Sequence, residues 1–128
     1  MKYIFIILIA SFGALKGQTI YSSLDYSNLS SVPALKGDII EVFGEFPAGT
    51  GVVNSGVNIH GITPNATIVG GGIDSTNPAI KAIGDTLYLR DIQVKSRICL
   101  DISSQSYLYM KNVVLAPHDN ISSLSNAY

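Results

Sequence analysis

Two pairs of side chains that can bind ligands recur at the same sequence offset of 21: Tyr88 with Tyr109, and Arg90 with Lys111. If each pair lies on neighbouring strands, its members stand about 4.8 Å apart. Tyrosine rings can stack on a sugar, and the adjacent cations can hold a carboxylate. The four residues therefore form a candidate glycan-binding surface. The alternative is that tyrosines fit any pleated surface and that cations keep an exposed sheet soluble.

The acidic residues do not form the clusters that carbohydrate-active enzymes need. A glycoside hydrolase places paired carboxylates on one face, and a lyase needs carboxylates for calcium together with a Lys or Arg base. Glu41 is alone in the predicted outward columns, and Asp38 and Asp91 fall at predicted turns, where a structural role is expected. The sequence predicts no complete active site in this chain. The catalytic residues stay unknown, and no cofactor is predicted.

A histidine and a cysteine are the remaining candidates for chemistry. His60 is expected to point outward, and no second His, Cys or acid stands beside it at metal-ligand spacing, so no metal site is predicted. Cys99 is the only cysteine, which excludes an internal disulfide. We expect its thiol to be an inert structural group rather than a nucleophile.

The elements that position these residues repeat along the chain. Residues 66–70, 87–91 and 108–112 align at an offset of 21, and residues 40–44 lie 26 before the first of them. Alternation of apolar and polar residues in each segment predicts a strand with one buried face. The predicted inward columns are Ile40, Ala66, Leu87 and Leu108, and Val42, Ile68, Leu89 and Met110. Each segment ends on a residue that tolerates a left-handed backbone, which predicts a turn on every rung: Gly44, Gly70, Asp91 and Asn112.

Further strands are predicted after each of these turns. Ile73, Val94 and Leu115 keep the same offset and indicate a second strand, and residues 57–59 belong to a third strand in looser register. Three strands in one repeat leave no room for a helical crossover, which needs roughly 30 residues. Stacked coils with parallel strands explain the columns best, and an antiparallel sandwich is the alternative.

Residues 37–46, Gly-Asp-Ile-Ile-Glu-Val-Phe-Gly-Glu-Phe, resemble the opening coil of pectin-lyase-like β-helix proteins. Residues 57–72 are similar to the second coil of that family, and so is the Leu-x-Leu-x-Asp-Ile-x-Val pattern of residues 87–94. The resemblance covers residues 20–121 and implies an all-β, right-handed parallel β-helix (solenoid) of about four coils with an N-terminal capping segment. It implies polysaccharide lyases, pectin esterases and glycoside hydrolases as related activities, and it implies calcium as a cofactor only if the protein is a lyase. Its motifs are specific for the fold and weak for the function.

Residues 18–37 are expected to form the cap that closes the core, and residues 38–128 are expected to form the coils. A short helix within residues 21–36 is predicted to supply the cap, with four residues on its apolar side: Leu24, Leu29, Val32 and Leu35. Pro33 limits any helix in this segment to short pieces.

Residues 1–17 have the pattern of a secretory signal peptide, with Lys2 before the apolar run Tyr3–Phe12 and small residues after it. The run is about ten residues long, half of what a bilayer span needs. We predict cleavage after Gly17, with cleavage after Gly13 and an uncleaved membrane anchor as alternatives. The expected product is a secreted or cell-surface protein with no stable membrane span.

The expected partner is a polysaccharide or a cell-surface glycan. Removing residues 1–17 leaves 6 basic and 9 acidic side chains, a formal charge of −3, which disfavours nucleic acid. The alternatives are a polysaccharide lyase or another pectin-lyase-like carbohydrate-active enzyme, and a non-catalytic surface scaffold or adhesin.

The coils are expected to end near Leu115 without a C-terminal capping helix. An uncapped solenoid exposes its core and an unpaired strand edge. We therefore predict a chain truncated at its C-terminus, whose open end pairs with further coils or self-associates.

Overall fold

The computed structural model describes residues 18–71, 75–84, 86–101 and 107–117, so the predicted signal peptide, Ile73 and residues 118–128 lie outside the described residues. Two single 3₁₀ turns, Ser23–Asp25 and Leu29–Ser31, follow the first strand. The strands of the described part are β1 (Ile20–Ser22), β2 (Ile39–Val42), β3 (Glu45–Pro47), β4 (Val52–Asn54), β5 (Asn58–Gly61), β6 (Thr67–Val69), β7 (Ile80–Ile83), β8 (Thr86–Lys95), β9 (Leu100–Asp101) and β10 (Tyr107–Ala116).

These strands pair in parallel and form the faces of a solenoid of about four turns. The first face contains β1, β2, β5 and the first halves of β8 and β10. The second face contains β3, β6 and the second halves of β8 and β10, and the third contains β4, β7 and β9. The predicted all-β parallel solenoid is confirmed, and the antiparallel sandwich is wrong.

Apolar side chains fill the solenoid in columns that run from coil to coil. One column under the first face contains Ile40, Ile59, Leu89 and Met110. One column under the second face contains Phe46, Ile68, Val94 and Leu115. Because neighbouring rungs are about 4.8 Å apart, each side chain packs on those directly above and below it. The first three members of both columns are buried, so these columns form the core.

The predicted register is wrong for the second coil. The repeat places Ile68 beside Val42, but Ile68 pairs with Phe46 on the second face. Ile59, and not the predicted Ala66, lies beside Ile40, and Gly61 lies beside Val42, so β5 is the first strand of its coil and not the third. Ile40 therefore belongs to the column of Leu89 rather than to the predicted column of Leu87. Two strands of one coil have the same alternation, and alternation alone does not tell which face a segment belongs to.

The predicted turn column requires a correction at one residue. A left-handed backbone occurs at three of its members, with φ of 63°, 54° and 55°: Gly44, Asp91 and Asn112. Gly70 is not left-handed; it follows β6, and its N–H donates to the Lys95 carbonyl at 2.8 Å. A Cβ at Gly70 would overlap the Ser96 side chain, so close packing is the physical reason for glycine there.

The N-terminal segment differs from the predicted short helix. β1 extends the first face as an additional strand, and the two 3₁₀ turns follow it. Leu29 and Val32 are buried, but Leu24 and Leu35 are 74% and 64% exposed. The prediction is wrong for these two leucines, because single 3₁₀ turns do not place four successive apolar positions on one stripe.

Asp38 joins this segment to the first coil. Its side chain is nearly buried, and its two oxygens accept hydrogen bonds from the backbone N–H groups of Thr19 and Leu35, both at 2.9 Å. Two charge-assisted bonds to different parts of the segment hold it against β2.

At the other end, β10 leaves part of the core uncovered. It pairs with β8 along one edge, and no strand pairs with its other edge within residues 18–71, 75–84, 86–101 and 107–117. Met110, the last member of its column, is 48% exposed, whereas Leu89 beside it is buried.

Candidate functional site

The outward residues of the first face form two columns that cross four strands. The first column contains Ile39, Asn58, Tyr88 and Tyr109, and the second contains Glu41, His60, Arg90 and Lys111. These residues point outward because they alternate with the buried residues of β2, β5 and β8. The structure therefore places the four predicted glycan-binding residues on neighbouring strands of one surface.

The two tyrosines stack on one another. Their ring centroids are 5.0 Å apart, and the ring planes differ by 14°. The ring of Tyr109 is the outer one of the pair, and this residue is 54% exposed. One face of Tyr109 rests on Tyr88, so the exposed remainder is available to an apolar surface of a ligand.

A depression of about 520 Å³ lies over this part of the face. Residues of both outward columns line it: Asn58, His60, Tyr88, Arg90, Tyr109 and Lys111. Aromatic rings stand on one side, and cationic groups stand on the other. This arrangement suits a ligand that has both an apolar face and anionic or hydroxyl groups.

A hydrogen-bonded chain of side chains borders the depression. The distance from Arg90 Nη2 to His60 Nδ1 is 3.0 Å, and from His60 Nε2 to Asp91 Oδ2 it is 3.2 Å. Asn112 donates to Asp91 Oδ1 at 3.0 Å. Gly61 allows the second and third coils to come this close, because a Cβ there would overlap the Asp91 carbonyl oxygen.

The chain of hydrogen bonds keeps the Asp91 carboxylate ionised. The hydrogen bond from Asn112, together with the nearby His60 and Arg90, lowers the pKa of Asp91 below its usual value. The left-handed backbone at Asp91 and Asn112 turns both side chains toward the corner between the first two faces. The turn residues are therefore also members of the polar chain at the site.

His60 is the member of the site that the repeat does not identify. Its partner on the next strand is Arg90, at a sequence offset of 30 rather than the offset of 21 that relates Asp91 to Asn112. The predicted outward direction of His60 is confirmed, since His60 alternates with the buried Ile59. Its place beside Arg90 was not predicted, because an offset of 30 is not part of the repeat.

A second depression, of about 330 Å³, lies on the other side of the polar chain. Its walls are His60, the residues of the loop 61–64, Asp91 and Asn112. The loop is held by Thr63, whose hydroxyl accepts a hydrogen bond from the Gly44 N–H at 2.7 Å. His60 and Asp91 therefore separate two adjoining depressions at the edge of the first face.

Cys99 lies away from this surface. Its thiol is within 3.5–3.7 Å of the carbonyl oxygens of Val94, Ser96 and Ala116. Burial raises the pKa of the Cys99 thiol. A thiol that stays protonated is a poor nucleophile.

Within the described ranges, no group of three or more His, Cys, Asp and Glu side chains could hold a metal ion. Nor do these ranges contain a helix with the length and apolar character needed to cross a membrane.

Comparison with known proteins returned no matches: no family model, no curated protein and no solved structure matches this chain.

Proposed function

We propose that this chain is an exported β-helix domain of the pectin-lyase-like type that binds polysaccharide through the outward surface of its first face. The observation that supports this most directly is the Tyr88–Tyr109 stack beside Arg90 and Lys111, over the depression. The export step rests on the signal-peptide pattern of residues 1–17.

The chemistry of the surface favours a sugar with a carboxylate. The exposed part of Tyr109 offers a flat apolar area to the C–H groups of a pyranose ring. Arg90 can hold a carboxylate with two parallel N–H bonds, and Lys111 adds a second positive charge on the neighbouring strand. Because the surface is shallow, we expect a dissociation constant of about 0.1–1 mM for a short oligosaccharide.

Binding without turnover is the form of the function that the described residues favour. Two carboxylates belong to this surface: Glu41, in the second outward column beside His60, and Asp91, both of whose oxygens already accept hydrogen bonds, from His60 and Asn112. A carboxylate held in this way is poorly placed to transfer a proton. An enzymatic role for the whole protein, with calcium if it is a lyase, stays the second candidate.

The experiment compares oligogalacturonate with a neutral oligoglucan by isothermal titration calorimetry. We expect tighter binding of the acidic ligand, and a loss of about tenfold for both Tyr109→Ala and Arg90→Ala. Tyr107→Ala is the matched control for the tyrosine, because Tyr107 lies on the same strand but does not line the depression. Lys81→Ala is the control for the charge, since Lys81 pairs with Asp101 on the third face.

Three results separate the candidates. Release of unsaturated oligosaccharides from an acidic polysaccharide would favour a lyase over a binding domain. Equal losses in the control variants would mean that the surface is not the binding site. No binding of any glycan would leave a non-catalytic scaffold or adhesin as the better hypothesis.

A further inference from the structure

We propose that His60 is a positioning residue that holds the Arg90 guanidinium in place for the ligand of the first face, and that Asp91 and Asn112 orient His60 for this role. The inference rests on the proposed glycan site and adds a residue that the repeat of tyrosines and cations does not contain.

The donors and acceptors of the chain allow one arrangement. An arginine N–H group can only donate, so His60 Nδ1, 3.0 Å from Arg90 Nη2, must be the acceptor and has no proton. The ring proton then lies on Nε2, which faces Asp91 Oδ2 at 3.2 Å. The ionised carboxylate only accepts, so this bond runs from His60 to Asp91. Every contact in the chain is satisfied when His60 is neutral with its proton on Nε2.

Asn112 completes the chain from the side of the next coil. Its Nδ2 donates to Asp91 Oδ1, so each oxygen of the carboxylate has one side-chain donor. A carboxylate held on both oxygens fixes the orientation and the tautomer of the imidazole ring, as such partners do at other histidine sites.

The benefit to the ligand is the reduced freedom of Arg90. This residue is exposed, and its Nε lies 4.0 Å from Asp91 Oδ2, which is too far for a hydrogen bond. Asp91 therefore attracts Arg90 as an ion pair without fixing its direction, and the bond to His60 is the hydrogen bond that orients the guanidinium beside Tyr88. Ordering a long side chain before binding removes that cost from the binding step. We expect loss of the bond to weaken glycan binding about three- to tenfold.

Two substitutions of His60 separate this role from others. In His60→Asn the side-chain oxygen reaches the position of Nδ1 and can accept from Arg90, but the link to Asp91 is lost. In His60→Gln the amide nitrogen reaches the position of Nε2 and can donate to Asp91, but no acceptor is left at the position of Nδ1, which faces Arg90. We expect His60→Asn, which keeps the acceptor but loses the orienting link, to bind oligogalacturonate with an affinity between those of the wild type and His60→Gln, and His60→Gln to lose about three- to tenfold.

Two further measurements do not depend on the size of that loss. Nitrogen-15 NMR of the histidine rings, with His60→Asn used for assignment, should show the Nε2–H tautomer for His60 at pH 8. In a double-mutant cycle, His60→Gln should cause no further loss when Arg90 is already alanine. Thermal unfolding of each variant confirms that it is folded.

The outcomes distinguish the two proposals. If the wild type binds no glycan, the proposed function fails, and this inference fails with it. If the wild type binds and His60→Gln matches it, or if the NMR spectrum shows the Nδ1–H tautomer, only the positioning role is overturned. A loss for His60→Gln that persists in the Arg90→Ala background would also overturn it, because His60 would then contact the ligand directly.

Discussion

The core position of β5 can be tested with two isoleucines, Ile59 and Ile62, that are close in sequence but differ in burial. Ile59 is 1% exposed and is packed between Ile40 and Leu89, its neighbours in the column. Ile62 follows the end of β5 and is 41% exposed. Replacing either by alanine removes the same atoms, so any difference between the two variants reflects burial alone.

The expected magnitudes are far apart. Buried Ile→Ala changes cost about 2–5 kcal/mol, and the cost is higher where the site cannot collapse around the cavity. The backbone rungs above and below Ile59 are fixed by ladder hydrogen bonds, so we expect about 3–4 kcal/mol for Ile59→Ala. For Ile62→Ala we expect a loss of less than about 1 kcal/mol, because Ile62 is 41% exposed and its removal takes little apolar surface out of the core.

Equilibrium urea unfolding followed by far-ultraviolet circular dichroism measures both values. The two variants are compared by the shift in the urea concentration at the unfolding midpoint. The comparison requires that the dependence of the unfolding free energy on urea concentration be unchanged, since a change would indicate altered cooperativity. Equal losses of stability in the two variants would refute the core position of Ile59 between Ile40 and Leu89, and so would a loss below about 1 kcal/mol for Ile59→Ala.

Three further predictions concern single polar groups. Asp38→Ala should lower the free energy of unfolding by about 2–4 kcal/mol, because two backbone N–H groups lose a charged acceptor. Asp25 is exposed, so Asp25→Ala is the control and should cost less than about 0.5 kcal/mol in the same urea titration. The Cys99 thiol should react with iodoacetamide at pH 8 roughly tenfold more slowly in the folded protein than in urea, because burial raises its pKa, and equal rates would contradict this. The lowered pKa of Asp91 contributes stability above the usual pKa of an aspartate, and this contribution is lost as the pH falls through the pKa of the folded state. Thermal melts below about pH 4 should therefore show a smaller loss of stability in Asp91→Asn than in the wild type.

The pairing of the last two described coils is the part of the site that the sequence predicts well. Residues 87–91 and 108–112 align without insertion, and the structure pairs Leu87 with Leu108 and Tyr88 with Tyr109. Because these two coils have the same number of residues, every residue of the first lies beside the residue 21 positions later in the second. The same offset therefore predicts that the two tyrosines stack and that Arg90 and Lys111 lie on neighbouring strands.

The second coil was not predictable in the same way. Its loop between the first two faces is longer, so the sequence offset to the next coil differs between the faces: His60 pairs with Arg90 on the first, and Ile68 pairs with Val94 on the second. A single fixed offset therefore matches β6 to the wrong face and leaves residues 57–59 to the third strand. His60 and Asn58, which belong to the candidate site, are for this reason not placed beside Arg90 and Tyr88.

The kind of fold follows from the amino-acid sequence, because alternating apolar residues that recur at a nearly constant interval bury one side of every strand only if the coils stack. The sequence also predicts left-handed turns at Gly44, Asp91 and Asn112, since few residue types tolerate that backbone, but the same argument fails at Gly70. Only the folded structure shows which strand lies beside which in the second coil, and hence that His60 lies between Arg90 and Asp91. This pairing cannot be read from the sequence because coil length varies with the loops, whereas the core requires only an apolar side chain at each level.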